Sequence, residues 1–215
     1  MTDRSERWTR FRDRQREDIA NAVIAAVSNS REEPLNVTEV VDLAGISRKT
    51  FYKYFDSLPP ALVYTRSQVR RGLTEHAEAA VADAPNGRER FLGLLADLVS
   101  VANRSPDLIR FINYFDHTFR GKEQQHNQHE QETYIAADSE NVTQAFLTGQ
   151  ADGSIRTDLD PSTNVFVIGN SIIGLVQRFE VATHADNPDL MQSSIDLLVD
   201  VWRRHLAPGP GERSP

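Results

Sequence analysis

Apolar positions recur along this chain with a helical period almost from end to end. In Phe11–Ser28, Ile19, Val23 and Val27 fall at i, i+4 and i+8, with Ala22 and Ala26 one step round, which marks one face of a helix. Asn29–Asn36, with Pro34 and polar neighbours, breaks the pattern. Two short helices follow, Thr38–Ala44, closed by Gly45, and Ser47–Phe55. A long helix is predicted over Leu58–Ala82, with Pro59 and Pro60 in its first turn, where a missing N–H costs no hydrogen bond. Asn86-Gly87 is a hairpin dipeptide, but helical patterns flank it, so Ala84–Gly87 reads as a helix–helix turn. Arg88–Ala102 repeats Phe91, Leu94, Leu95, Leu98 and Val101, and Ser105-Pro106 opens a helix through Leu108, Ile109, Ile112 and Phe115 that stops near Phe119–Gly121. Lys122–Thr148 ends on Gly149 or Gly153, and Asp189–Leu206 is the last helix. Between them Val165–Phe179 is apolar on nearly every side, the pattern of a helix buried all round, often against a second subunit.

The fold class is therefore all-α, with three short N-terminal helices followed by about six longer ones. The expected organisation is a small head over residues 1–57, a larger helical body over 58–206, and a Pro/Gly-rich tail, 207–215, expected to be disordered. No apolar run approaches the roughly 20 residues of a membrane span. Met1–Arg16 lacks the apolar stretch of a secretory signal, and there is no cysteine, which excludes disulfides and thiolate chemistry. A cytoplasmic protein is expected.

The net charge is −7, which argues against a generic polyanion binder until its distribution is considered. Up to Ser57 the chain holds ten Lys/Arg and ten Asp/Glu; the remaining fourteen against twenty-one carry the whole −7. A neutral head on an acidic body is compatible with a head that approaches phosphate.

The stretch Val37–Phe55, VTEVVDLAGISRKTFYKYF, carries the candidate chemistry. Thr38 is placed to cap the first short helix and Ser47 the second. Gly45 suits the left-handed conformation of a sharp turn. Ile46 and Phe51 have the spacing of a hydrophobic staple across Ser47. If Phe51 and Phe55 face the core together, Arg48, Lys49, Tyr52 and Lys53 face outward, with Thr50 near the helix N-terminus. Two short helices joined by a glycine turn, the second presenting basic and hydroxyl side chains, describe a helix-turn-helix. Arg48 and Lys49 can reach guanine edges and Thr50 a base or thymine methyl. Tyr52 and Lys53 can bind backbone oxygens, while the helix N-terminus offers N–H groups to phosphate. The competing reading is an ordinary helical hairpin with a solvated basic face.

Thr38, Val40, Ala44-Gly45-Ile46-Ser47 and Thr50-Phe51-Tyr52-Lys53-Tyr54-Phe55 resemble the N-terminal domain of the TetR family of transcriptional regulators, over residues 19–62. Val41 stands where the family usually has a small alanine, and Leu58 where it often has a phosphate-binding lysine. The resemblance implies a double-stranded operator of inverted-repeat sequence as partner. It implies that Thr38 reaches a phosphate, that Ser47, Arg48, Lys49 and Thr50 line the major groove, and that Tyr52, Lys53 and Tyr54 hold the backbone. Beyond residue 62 the likeness is weaker; the connection from Ala145 to Pro161 is similar to one in many bodies of the family, after which the family's following two helices form a dimer interface. Val165, Ile168, Ile172, Val176, Leu198 and Trp202 fall in that place and are expected to face a second copy. The resemblance further implies a small-molecule effector in the body. Phe111, Tyr114, Phe115, His117, Phe146, Phe166 and Asn170 are the candidate lining, although aromatics at helical spacing are more often core.

Arg4, Arg7, Arg10, Arg12, Arg14 and Arg16 are interleaved with Asp3, Glu6, Asp13, Glu17 and Asp18. This reads as a solvated, ion-paired face, with an arm (residues 1–10) reaching a minor groove as the alternative. His126 and His129 have metal-compatible spacing but lie in a Gln/His-rich polar stretch, and no metal or other cofactor is expected. No nucleophile elbow or phosphate loop is present, so the chain does not read as an enzyme.

Overall fold

A computed structural model describes residues 2–29, 34–119, 128–181 and 188–209. Among them every regular element is a helix: α1 (Thr2–Asn29), α2 (Val37–Leu43), α3 (Arg48–Tyr54), α4 (Leu58–Ala80), α5 (Gly87–Arg104), α6 (Pro106–Phe119), α7 (Gln128–Ala151), α8 (Pro161–Val181) and α9 (Pro188–Leu206). The all-α class is as the periodicity predicts. The chain forms two compact units, one of Met1–Gly72 with Asp107–Phe119, the other of Leu73–Pro106 with Arg120–Pro215, so the division falls within α4. His126 and residues 210–215 of the tail lie outside the described residues.

In the first unit α1 buries Ile19, Ala22, Val23, Ala26 and Val27, the face its spacing predicts, and packs on α2 through Val40 and Val41. The helix begins already at Thr2, ahead of the Phe11 that opens its apolar pattern. The described side chains from Glu6 to Arg14 are exposed, so hydrophobic periodicity could not report these turns; side chains such as the Arg10–Glu6 pair at i, i+4 support them locally. The first half of α4 buries Ala61, Leu62, Thr65 and Val69, and the Thr65 hydroxyl donates to the Ala61 carbonyl at 2.8 Å. In α6, Ile109 and Phe111 are buried.

The second unit is built on α5, whose Phe91, Leu92, Leu95 and Val99 are buried, packed on α7. Phe91 meets Phe146 edge to face with centroids 5.3 Å apart. At the start of α5 the two helices touch backbone to backbone. A β-carbon on Gly87 would collide with Gly149 and lie 2.7 Å from the Thr148 carbonyl carbon; one on Gly149 would lie 2.6 Å from Ile155. The turn after α7 then caps α5: Gly87 N–H donates to Asp152 Oδ2 (2.7 Å) and Arg88 N–H to Ser154 Oγ (3.0 Å), while Asn86 caps the same helix by accepting from Glu89 N–H at 3.0 Å. Gly153, at φ +74°, supplies the left-handed step that brings the turn back. Burial pushes the Asp152 carboxyl up, but hydrogen bonds from Ser154 and from the Gly87 N–H, with Arg88 nearby, outweigh it and hold the group below the usual carboxylate range.

α8 corrects an expectation. Val165, Ile168, Ile172 and Val176 are turned inward, each at most 9% exposed, and are used up in the core of their own unit. The helix is not buried all round: Phe166, Val167 and Ile173 stand exposed on its other side, Phe166 at 68%. α9 repeats the arrangement, with Ile195 and Leu206 inside and Leu190, Leu197 and Val201 outside, while Leu198 and Trp202 are half-buried. An apolar residue at helical spacing does not declare which of two apolar faces it joins, and only packing against α5 and α7 separates them.

Candidate nucleic-acid interface

Local sequence builds the α2–α3 hairpin from both ends. The cap of α2 is Asn36, correcting the expectation of Thr38: Asn36 Oδ1 accepts from Glu39 N–H at 3.2 Å while the Glu39 carboxylate accepts from Asn36 N–H at 3.2 Å. Asn36 and Glu39 stand three apart, a readable capping-box signal. Thr38 is thereby placed inside the first turn, exposed, with its hydroxyl free of capping duty. Gly45 takes φ +63°, as its place in a tight turn requires, and Ile46 N–H closes onto the Val41 carbonyl at 3.0 Å. Ser47 caps α3 by accepting from Thr50 N–H at 3.1 Å, and its hydroxyl lies 2.9 Å from that of Thr50.

The orientation of α3 follows from Phe51, which is fully buried, and Phe55, which is 4% exposed; their rings lie 5.8 Å apart. Burial of these two positions leaves Arg48, Lys49, Tyr52 and Lys53 exposed, as the spacing predicts, with Thr50 and Tyr54 half-buried at the flanks. Thr38 joins them from α2, since Arg48 Nη2 donates to its hydroxyl. The eight candidate residues thus belong to one hairpin, and the α3 contribution is divided by one aromatic anchor into an outer basic surface and an inner core. No acidic side chain lies between Gly45 and Phe55 to oppose a phosphate.

One contact had no sequence signal. The Arg16 guanidinium of α1 lies over the rings of Phe55, 5.3 Å from its centroid, and Tyr64, at 4.6 Å. It joins the end of α3 to α1 and to α4 by cation–π attraction. Burial pushes the Tyr64 phenol up, against the lowering pull of Arg16.

The proposed pocket residues are divided between the two units. Phe111, Tyr114, Phe115 and His117 belong to the first: Phe111 is buried, Tyr114 and Phe115 half-buried and His117 exposed, and Phe115 stacks on Phe119 at 4.5 Å. Phe146, Phe166 and Asn170 belong to the second: Phe146 is core, while Phe166 and Asn170 are exposed on α8, the Asn170 amide donating to the Phe166 carbonyl at 2.8 Å.

No family model matches the sequence, and no curated protein sequence matches it. Solved structures do. A Rhodococcus protein assigned to the TetR family of transcriptional regulators superposes with a TM-score of 0.72 at 19% identity, over 88% of this chain and 99% of that one. The ketosteroid transcriptional regulator KstR2 of Mycobacterium tuberculosis gives 0.67 at 15% identity over 90% and 95%, and a TetR family transcription regulator from Marinobacter aquaeolei VT8 gives 0.62 at 19% over 87% and 95%. The chain therefore has the fold of TetR-family regulators, a helix-turn-helix head followed by a helical body. Among the described residues no helix is long and apolar enough to cross a membrane.

Proposed function

We propose that this chain is a sequence-specific DNA-binding transcriptional regulator of the TetR type. It acts as a cytoplasmic homodimer that represses by occupying an inverted-repeat operator and is released by a small molecule. The observation that carries the reading is the outer surface of α3, with Arg48, Lys49, Tyr52 and Lys53 exposed on a helix anchored by Phe51 and capped by Ser47. On this reading Ser47, Arg48, Lys49 and Thr50 meet the major groove, and Thr38, Tyr52, Lys53 and Tyr54 meet phosphates.

Two heads must reach successive major grooves about 34–36 Å apart, which requires a dimer. The exposed Phe166, Val167 and Ile173 of α8, with Leu197 and Val201 of α9, form the apolar surface proposed to supply it. Residues 1–57 are proposed as the DNA-binding part and 58–206 as the dimerising and effector-binding part. The aromatic face of α6, with Tyr114 and His117, is the proposed place of effector recognition. An effector releases DNA by binding the non-DNA conformation more tightly.

Selection from randomised duplex DNA with the purified protein, followed by a salt titration on the winner, tests the reading. The expected result is an inverted repeat with steep salt dependence. No enrichment over random sequence would remove α3 as a reader of bases.

A further inference from the structure

Among the described side chains of α1, none in the early turns belongs to the core. The first deeply buried one is Ile19, and those described from Glu6 to Arg14 are exposed. Because the backbone stays helical back to Thr2, these turns project as a rod of about 18 Å, at 1.5 Å per residue. Residues 2–14 hold five arginines against Asp3, Glu6 and Asp13, a surplus of two positive charges in a chain whose net charge is −7. Arg7, Arg10 and Arg14 follow at i, i+3 and i+7 and so share one side of the helix, beside Phe11, which is 52% exposed. Arg10 pairs with Glu6 at 4.0 Å with both side chains more than half exposed, a contact weak enough to yield to a phosphate.

The root of the rod is fixed. Gln15 and Arg16 are half-buried at its base, and the Arg16 guanidinium sits over Phe55, the residue that ends α3, and Tyr64. The projecting turns therefore begin near Phe55, the residue that closes α3. A straight helix is too wide for a minor groove, which rules out the thin arm that the sequence left open; it can instead lie along the phosphate backbone.

We infer that the N-terminal turns of α1 form a second, sequence-independent DNA contact, in which Arg7, Arg10 and Arg14 hold phosphates of the duplex flanking the operator. This rests on the proposed DNA-binding function. The length of the rod corresponds to about five base pairs of flank at 3.4 Å each. The acidic body makes such a contact useful, since it places positive charge beyond the recognition helix without adding base preference.

The test compares two duplexes carrying the selected sequence, one trimmed to the inverted repeat and one with ten flanking base pairs on each side, by fluorescence anisotropy across a salt series. For wild type the slope of log K against log salt should be steeper on the flanked duplex by ~5, the value for three extra phosphates per protomer in a dimer. In R7A/R10A/R14A this excess should vanish, while binding to the trimmed duplex is kept. R7K/R10K/R14K should restore it, because lysine keeps the charge and a purely structural role for the arginines would not be rescued this way. Equal slopes on the two duplexes for wild type, or an excess that survives in the alanine variant, would overturn the inference while leaving α3 as the operator reader. Specific binding to neither duplex would overturn the DNA reading itself, and this contact with it.

Discussion

Helices α3 and α8 are made alike and present opposite surfaces. Each is anchored by bulky apolar residues on its inner side, Phe51 in α3 and Ile168 and Ile172 in α8. Outside, α3 displays Arg48, Lys49, Tyr52 and Lys53, whereas α8 displays Phe166, Val167 and Ile173. The inner sides explain why both helices exist; the outer sides point to what they meet. Basic and hydroxyl groups left in water remain available to phosphates and base edges without a desolvation penalty in the free protein. An exposed row of large apolar side chains is unfavourable in water until a second apolar surface covers it.

The comparison breaks most directly at α8. Ile168→Ala should cost about 2–5 kcal/mol of unfolding stability by leaving a cavity, whereas Phe166→Ala should cost little folding stability in the monomer and instead weaken the dimer by about 2 kcal/mol. Denaturant titration and sedimentation velocity separate the two. A wild-type chain that sediments as a monomer at micromolar concentration would remove the α8–α9 surface as an interface.

The body can be sharpened at its glycine crossing. Gly87→Ala should destabilise by up to about 3 kcal/mol, because the new methyl meets backbone that cannot rotate away. Gly72→Ala in α4, where nothing lies within 4 Å, should instead leave stability unchanged or raise it by up to about 1 kcal/mol. Thermal unfolding of the two variants side by side checks this; equal losses would mean that helix geometry rather than the α5–α7 approach sets the cost.

On the α3 side the effects are on binding. Lys49→Ala should relax preference at one operator position by about 1–3 kcal/mol, whereas Lys53→Ala should weaken all sequences alike and lower the salt slope by about 1. A preference profile identical to wild type for Lys49→Ala would deny it a base contact.

The smallest expected effect is on acid stability. The Asp152 carboxyl is held below its ordinary value in the folded chain, so its contribution is present above the unfolded value, about 3.9, and is lost as pH falls through the folded one. Asp152→Asn should therefore flatten the stability profile below about pH 4 relative to wild type. An unchanged acid limb would mean that the turn capping α5 does not depend on the charge.

Much of this protein was written locally. The all-α class, the break between α2 and α3, the left-handed Gly45, the Ser47 cap and the outward set on α3 follow from spacing and residue chemistry, because each depends on neighbours within about one or two helical turns. Asn36 and Glu39 were equally local, and the preference for Thr38 as the cap missed a signal that was there. What tertiary structure alone decided is of another kind. Gly87 and Gly149 read as helix ends, yet their deeper reason is that two helices distant in sequence approach backbone to backbone. Arg16 reads as one of six interleaved arginines until folding lays it over Phe55 and Tyr64. Val165 and Phe166 are neighbours of similar apolar character, and nothing in the chain itself says that the first belongs to the core and the second to the surface. Periodicity reports that a helix has apolar faces; which of them is covered is settled by the elements that pack on it, and those come from elsewhere in the sequence.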